Sequence, residues 1–117
     1  MKSDQLFMMV FRFEPNFEYQ PTAQEQKEIS EQWGSFIGNI AIKEKLVSTH
    51  QLGFEGKQIF SDLSTKDEIL ITDHKTIGGN MIVKANSIEE ATAMAKESPI
   101  LKIGGSVEVR SIIPMEN

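Results

Sequence analysis

The chain has no cysteine. That absence removes disulfides, thiolate nucleophiles and cysteine-based metal sites together. Histidine is nearly as scarce: His50 and His74 are the only two, and they stand far apart in the sequence. No zinc site is expected from such a set, and no structural metal. No basic run occurs anywhere, and the formal net charge is -5. Nucleic acid therefore has no electrostatic footprint here. Long apolar runs are missing too. The most apolar stretch, in "MKSDQLFMMVFRFEP", is broken by Arg12 and Glu14. It is too short to span a membrane, and no small-residue cleavage site follows it. A cytoplasmic location without membrane contact is the expectation. A Gly-rich loop between a strand and a helix is also lacking. Gly78-Gly79 and Gly104-Gly105 each read as preceding a strand, so neither offers a helix N-terminus to phosphate, and no nucleotide or other cofactor is expected.

What is present fits one ordinary globular domain over residues 1–117. The 117 residues, 39% apolar and 25% charged, suffice for a real core without covalent staples. Residues 5–13, "QLFMMVFRF", read as a strand apolar on both sides. Phe7, Met9, Phe11 and Phe13 alternate with Leu6, Met8, Val10 and Arg12. The segment "EPNFEYQP", with Phe17 and Tyr19, reads as an ordered loop. Thr22 and Glu25 then form a capping box. Ile29, Trp33, Phe36, Ile37 and Ile40 fall on one face of a helix expected to end near Lys45. Gly34 and Gly38 weaken that helix, and their spacing leaves open either a close backbone approach or simple tolerance.

The next segment predicts short strands. "VSTHQLGF" and "KQIFSDL" are separated by a turn at Glu55-Gly56, "EILITD" is β-rich, and "NMIVKA" follows the Gly78-Gly79 pair. Ser87 and Glu90 open a second helix with another capping box, with Ile88, Ala91, Met94 and Ala95 on one face and an end before Pro99. "SVEVRSII" closes the chain as a strand, Val107 and Val109 opposite Glu108 and Arg110. The order β, α, several strands, α, β is the split βαβ pattern of a ferredoxin-like α+β fold, an antiparallel sheet with two helices on one face.

That pattern leaves the second face of the sheet uncovered. Leu6, Met8 and Val10 would lie exposed there, which is improbable for a monomer. A two-fold partner laying its own sheet against this one covers them, so a homodimer with a barrel-like space between the sheets is expected. Arg12, Glu108 and Arg110 would project into or near that space. Buried charges need a partner or a ligand, so either an internal Arg–Glu pairing or a small anionic ligand answers them.

The order of motifs resembles the YCII-related family, in particular its DGPF branch. Thr72-Asp73, Gly78-Gly79, "SIEEATAMA", the step from Ala95 to Pro99, Gly104-Gly105 and "VEVRSI" follow that branch's sequence of landmarks, and "FMMVFRF" and "EKLVST" match its first half more loosely. The resemblance implies a dimeric α/β barrel. It also implies what is missing. The G-P-F after Asp73 is replaced by the shorter "HKTI". Where family members proposed to be enzymes carry a His in the first helix and an Asp before the Pro after the second, this chain has Trp33 and Ser98. Trp takes no proton, and Ser needs an activating base.

Two readings of function stay open. In the first, the chain is a dimeric small-molecule-binding or interaction domain lacking the family's dyad. In the second it is a cofactor-independent enzyme, lyase-like or isomerase-like, acting on a small anionic molecule in the cleft between sheets. Asp73 and His74 are then the catalytic candidates, and Arg12, His50, Glu108 and Arg110 the ligand-binding ones. Asp73-His74 also reads as a plain turn between strands, and His50 as a solvated polar residue.

Overall fold

The computed structural model describes residues 4–16 and 18–115; Phe17 of the expected loop lies outside them. In chain order the elements are β1 (Gln5–Phe13), α1 (Ala23–Ile42), β2 (Leu46–Gln51), β3 (Gln58–Ile59), β4 (Thr65–Lys66), β5 (Thr76–Ala85), α2 (Ile88–Ala95), a 3-10 turn (Pro99–Ile103) and β6 (Ser106–Ser111). Four strands form an antiparallel sheet in the order β2-β5-β1-β6, and β3 pairs with β4 in a separate two-stranded ribbon. Two helices and a four-stranded antiparallel sheet in this order make an α+β architecture compatible with a ferredoxin-like fold.

Strand alternation sets the core. On β1, Phe7, Met9 and Phe11 are buried and meet Met81 and Val83 of β5 and Phe36 and Ile40 of α1. Ala91 and Ala95 bring α2 onto the same layer, and their small side chains let the helix sit close. Trp33 lies edge-on to Phe11 at 5.3 Å and to Phe36 at 5.8 Å between ring centroids, the geometry that aromatic quadrupoles favour. It belongs to the aromatic edge of the core. Among the apolar residues of the α1 stripe, burial starts at Trp33, not at Ile29, which is 48% exposed. Ile88 is likewise 44% exposed at the first turn of α2.

The first capping box is complete. Thr22 Oγ1 accepts from the Glu25 amide, and the Glu25 carboxylate accepts from the Thr22 amide and from the Tyr19 hydroxyl. The second is half of one. Ser87 Oγ accepts from the Glu90 amide, but the Glu90 carboxylate passes over Ser87 to the Asn86 amide at 3.0 Å and takes the Lys45 ammonium at 3.2 Å. This ties the end of the α1–β2 connection to the start of α2. The helix-one glycines have a plain outcome: a Cβ at Gly34 or Gly38 would meet nothing within 4 Å, so no close approach of a neighbour requires them.

The middle of the chain departs most from expectation. Of "KQIFSDL" and "EILITD", only Gln58–Ile59 is strand, paired with Thr65–Lys66. The connection from β2 to β3 makes no hydrogen-bonded turn at Glu55-Gly56; the tight turn is the one joining β3 to β4 around Asp62, whose carboxylate accepts from the Ser64 amide at 2.9 Å and the Ser64 hydroxyl at 2.6 Å. Leu63 takes φ 71° there. A β-branched run becomes a ladder only where a partner strand lies beside it, and residues 67–71 have none. The Gly78-Gly79 pair stands inside β5 instead of before it. A Cβ on Gly79 would come 2.5 Å from the His50 carbonyl oxygen, so glycine is required for β2 to pair there. Beside it the register slips between Phe11 and Arg12, a bulge that turns the end of the strand.

Residues 52–75 thus form an arm beyond the main sheet. It is braced within itself by the Gln58 amide donating to the Glu68 carbonyl at 3.2 Å, and tied to β5 by the Thr76 hydroxyl donating to the Leu70 carbonyl at 2.8 Å. The radius of gyration, 16.2 Å, exceeds the roughly 13 Å of a compact chain of this length.

Candidate functional site

Both helices lie on one face of the sheet, and the other face is open. Register places its residues in rows. His50, Asn80, Val10 and Glu108 follow one another across β2, β5, β1 and β6. Ser48, Ile82, Met8 and Arg110 form the next row. Leu6, Met8, Val10 and Ile82 make an apolar centre; Leu6 is exposed and the others half-buried.

Charge gathers at the β6 side. Arg12 Nη1 donates to Glu108 Oε1 at 2.9 Å, and Arg110 Nη1 to Glu108 Oε2 at 3.5 Å. The hydrogen bond from Arg12, with the field of both arginines behind it, holds the Glu108 carboxyl below its ordinary range. One carboxylate thus answers two guanidiniums, and the Arg110 side chain remains 71% exposed. A guanidinium with free donors in a fixed fork is suited to a carboxylate.

His50 is on this face too. Its Nδ1 lies 3.1 Å from Asn80 Oδ1. An amide oxygen accepts, so the pairing favours a proton on Nδ1 and leaves Nε2 as the basic nitrogen. His50 and Glu108 are three strand spacings apart, about 14 Å. A single small molecule would not touch both unless a further group bridged them. Asn80 was not singled out from the sequence. The signal was available: in "NMIVKA", Met81, Val83 and Ala85 are the core set, which turns Asn80 and Ile82 outward.

Asp73 and His74 stand elsewhere, at the tip of a small hairpin in the arm. Thr72 and Lys75 exchange backbone hydrogen bonds at 2.9 and 3.0 Å, and the two residues between them have φ of 52° and 67°. Two positive φ angles are the signature of a two-residue hairpin turn, which Asp and His tolerate better than most residues. Both side chains are exposed and make no hydrogen bond or ion pair among the described residues. Ser98 is buried and caps the 3-10 turn, its hydroxyl accepting from the Ile100 amide at 3.3 Å.

A concavity lies on the helix side, a groove of 380 Å³ against α1 and the 3-10 turn, lined by Glu28, Glu31, Phe36, Glu97 and Lys102 among others. It is shallow and acidic. The chemistry-bearing groups that converge are on the sheet face, and the site is assigned there. Among the described residues no three His, Asp or Glu side chains are grouped to hold a metal ion, and no helix is long and apolar enough to cross a membrane. No family model matches the chain, and no curated protein matches it.

Proposed function

We propose that the chain is a small-molecule-binding domain of the YCII-related kind, a homodimer whose open sheet faces oppose one another and hold a small carboxylate between them. The observation that carries this reading is the Arg12–Glu108–Arg110 group: two guanidiniums share one carboxylate beside an apolar patch on an uncovered sheet. Covering that patch with a second copy removes water from Leu6, Met8, Val10 and Ile82. It also places both arginines in a drier space, where an anion is held more firmly than in water.

Calorimetric titration with a panel of small mono- and dicarboxylates, on wild type and Arg110→Ala, is the test. Binding by wild type that Arg110→Ala weakens and His74→Ala does not is expected. A panel that binds neither protein, or binds both equally, overturns the reading.

The His50–Asn80 pair supports a second reading, cofactor-independent lyase or isomerase chemistry on a small acid held beside His50 itself, a position that a small molecule on Glu108 cannot share. The pairing fixes the ring and leaves Nε2 as a base. Hydrogen–deuterium exchange next to the carboxylate of a bound acid, followed by NMR and lost in His50→Gln, would distinguish turnover from binding.

A further inference from the structure

The arm is the least self-sufficient part of the molecule. Its ordered ribbon consists of two strands of two residues each. A two-stranded hairpin is marginal in water even when longer. Its large apolar side chains are turned out: Ile59 is 72% exposed, Leu63 82% and Leu70 62%, with Ile71 exposed nearby. Apolar surface gathered on an extension, not scattered over a body, marks a docking surface.

Its charge indicates what it docks on. Lys57 pairs with Asp67 at 3.1 Å and Lys66 with Glu68 at 2.6 Å. Among the described residues Glu55, Asp62 and Asp73 then have no cationic partner, against Lys75 alone. The open sheet face has the opposite balance. Among the described strand residues Arg12, Lys84 and Arg110 face outward with Glu108 as the one carboxylate between them. Two such faces brought together by a two-fold axis repel unless negative charge comes between them. The arm supplies it, together with aliphatic side chains that match the Leu6, Met8, Val10 and Ile82 patch.

We infer that the arm of residues 52–75 docks on the open sheet face of a second copy of this chain, each protomer closing the rim of its partner's face. This rests on the homodimer proposed above and adds which segment holds it together. The arm then also brings its acids to the margin of the site that Arg110 occupies, where they act against a ligand carboxylate, so carboxylate binding and arm docking are expected to oppose one another.

The test uses the full chain. Sedimentation equilibrium over a concentration series gives the dimer dissociation constant for wild type and for Ile59→Ser/Leu63→Ser. Both residues are exposed, so the variant keeps the monomer fold, which circular dichroism checks. We expect the constant to rise about tenfold or more in the variant, the size of effect lost aliphatic burial brings, and to rise with salt in wild type. Independently, a mixed sample of isotope-labelled and unlabelled wild-type protein should give intermolecular nuclear Overhauser effects between the Met8 methyl and arm methyls of Ile59, Leu63, Leu70 or Ile71. A wild-type dimer without those contacts, or with a dissociation constant the double variant leaves unchanged, overturns the arm's role and leaves the dimer standing. A wild type that stays monomeric throughout overturns both.

Discussion

Arg12 and Arg110 close on opposite oxygens of Glu108, one at 2.9 Å and the other at 3.5 Å. The carboxylate is held in its charged form mainly by the Arg12 hydrogen bond, so its titration lies lower in the folded chain than in the unfolded one. Glu90 shifts the same way, through the Asn86 amide first and Lys45 second. A depressed carboxyl stabilises the fold above its unfolded value, about 4.3 for Glu, and that stabilisation is lost as pH falls through the lower folded value. Melting temperature should therefore decline below about pH 4.5, and Glu108→Gln should flatten part of that decline. Equal slopes for wild type and variant would show that Glu108 is not linked to folding.

Met8 and Met81 are one strand apart on opposite faces of the sheet. Met81 has no exposed surface, so Met81→Ala should cost about 2–5 kcal/mol in urea unfolding, the transfer loss plus a cavity. Met8→Ala should cost far less in the monomer and should instead weaken self-association. If the two substitutions destabilise a dilute sample alike, the open face is not open.

Two glycines make a contrasting pair. Gly79→Ala drives a methyl into the His50 carbonyl and should destabilise by about 1–3 kcal/mol, with a shifted His50 resonance as β2 moves. Gly34→Ala adds a methyl to open space in a helix and should stabilise by about 1 kcal/mol. Denaturant midpoints read both, and a reversed order of the two would contradict the packing described.

His74 holds φ 67°, a conformation that glycine adopts without its side-chain clash. His74→Gly should raise stability by about 0.5–1 kcal/mol and leave carboxylate binding as it was. Lost binding or turnover in this variant would return His74 to the site.

Much of the fold was legible because the pattern was strong where tertiary contact is dense. The two-sided alternation of Leu6 to Phe13, the Thr22–Glu25 box and the Val107–Glu108–Val109–Arg110 alternation each predicted the element that forms. The failures cluster in residues 52–75. There, β-branched and aromatic residues satisfy strand propensity, but propensity does not say whether a partner strand will lie alongside. The site divides the same way. Arg12, Glu108 and Arg110 came together because strand parity fixes which side a residue takes. Asp73 and His74 attracted attention by residue type, and their backbone placement, two positive φ angles at a tip, is not carried by residue type. His50 could not be oriented until the register with Asn80 was known.

The pairing of β1 has a consequence for how the protein comes into being. Met9 is matched with Met81 on one side and Val109 on the other, both far later in the chain. As synthesis proceeds, this apolar segment emerges ahead of both its neighbours and stays unmatched until β5 has been made. The sheet cannot form from β1 alone; it waits on β5 and β6. Until β5 closes against it, "LFMMVF" is exposed apolar surface prone to self-association.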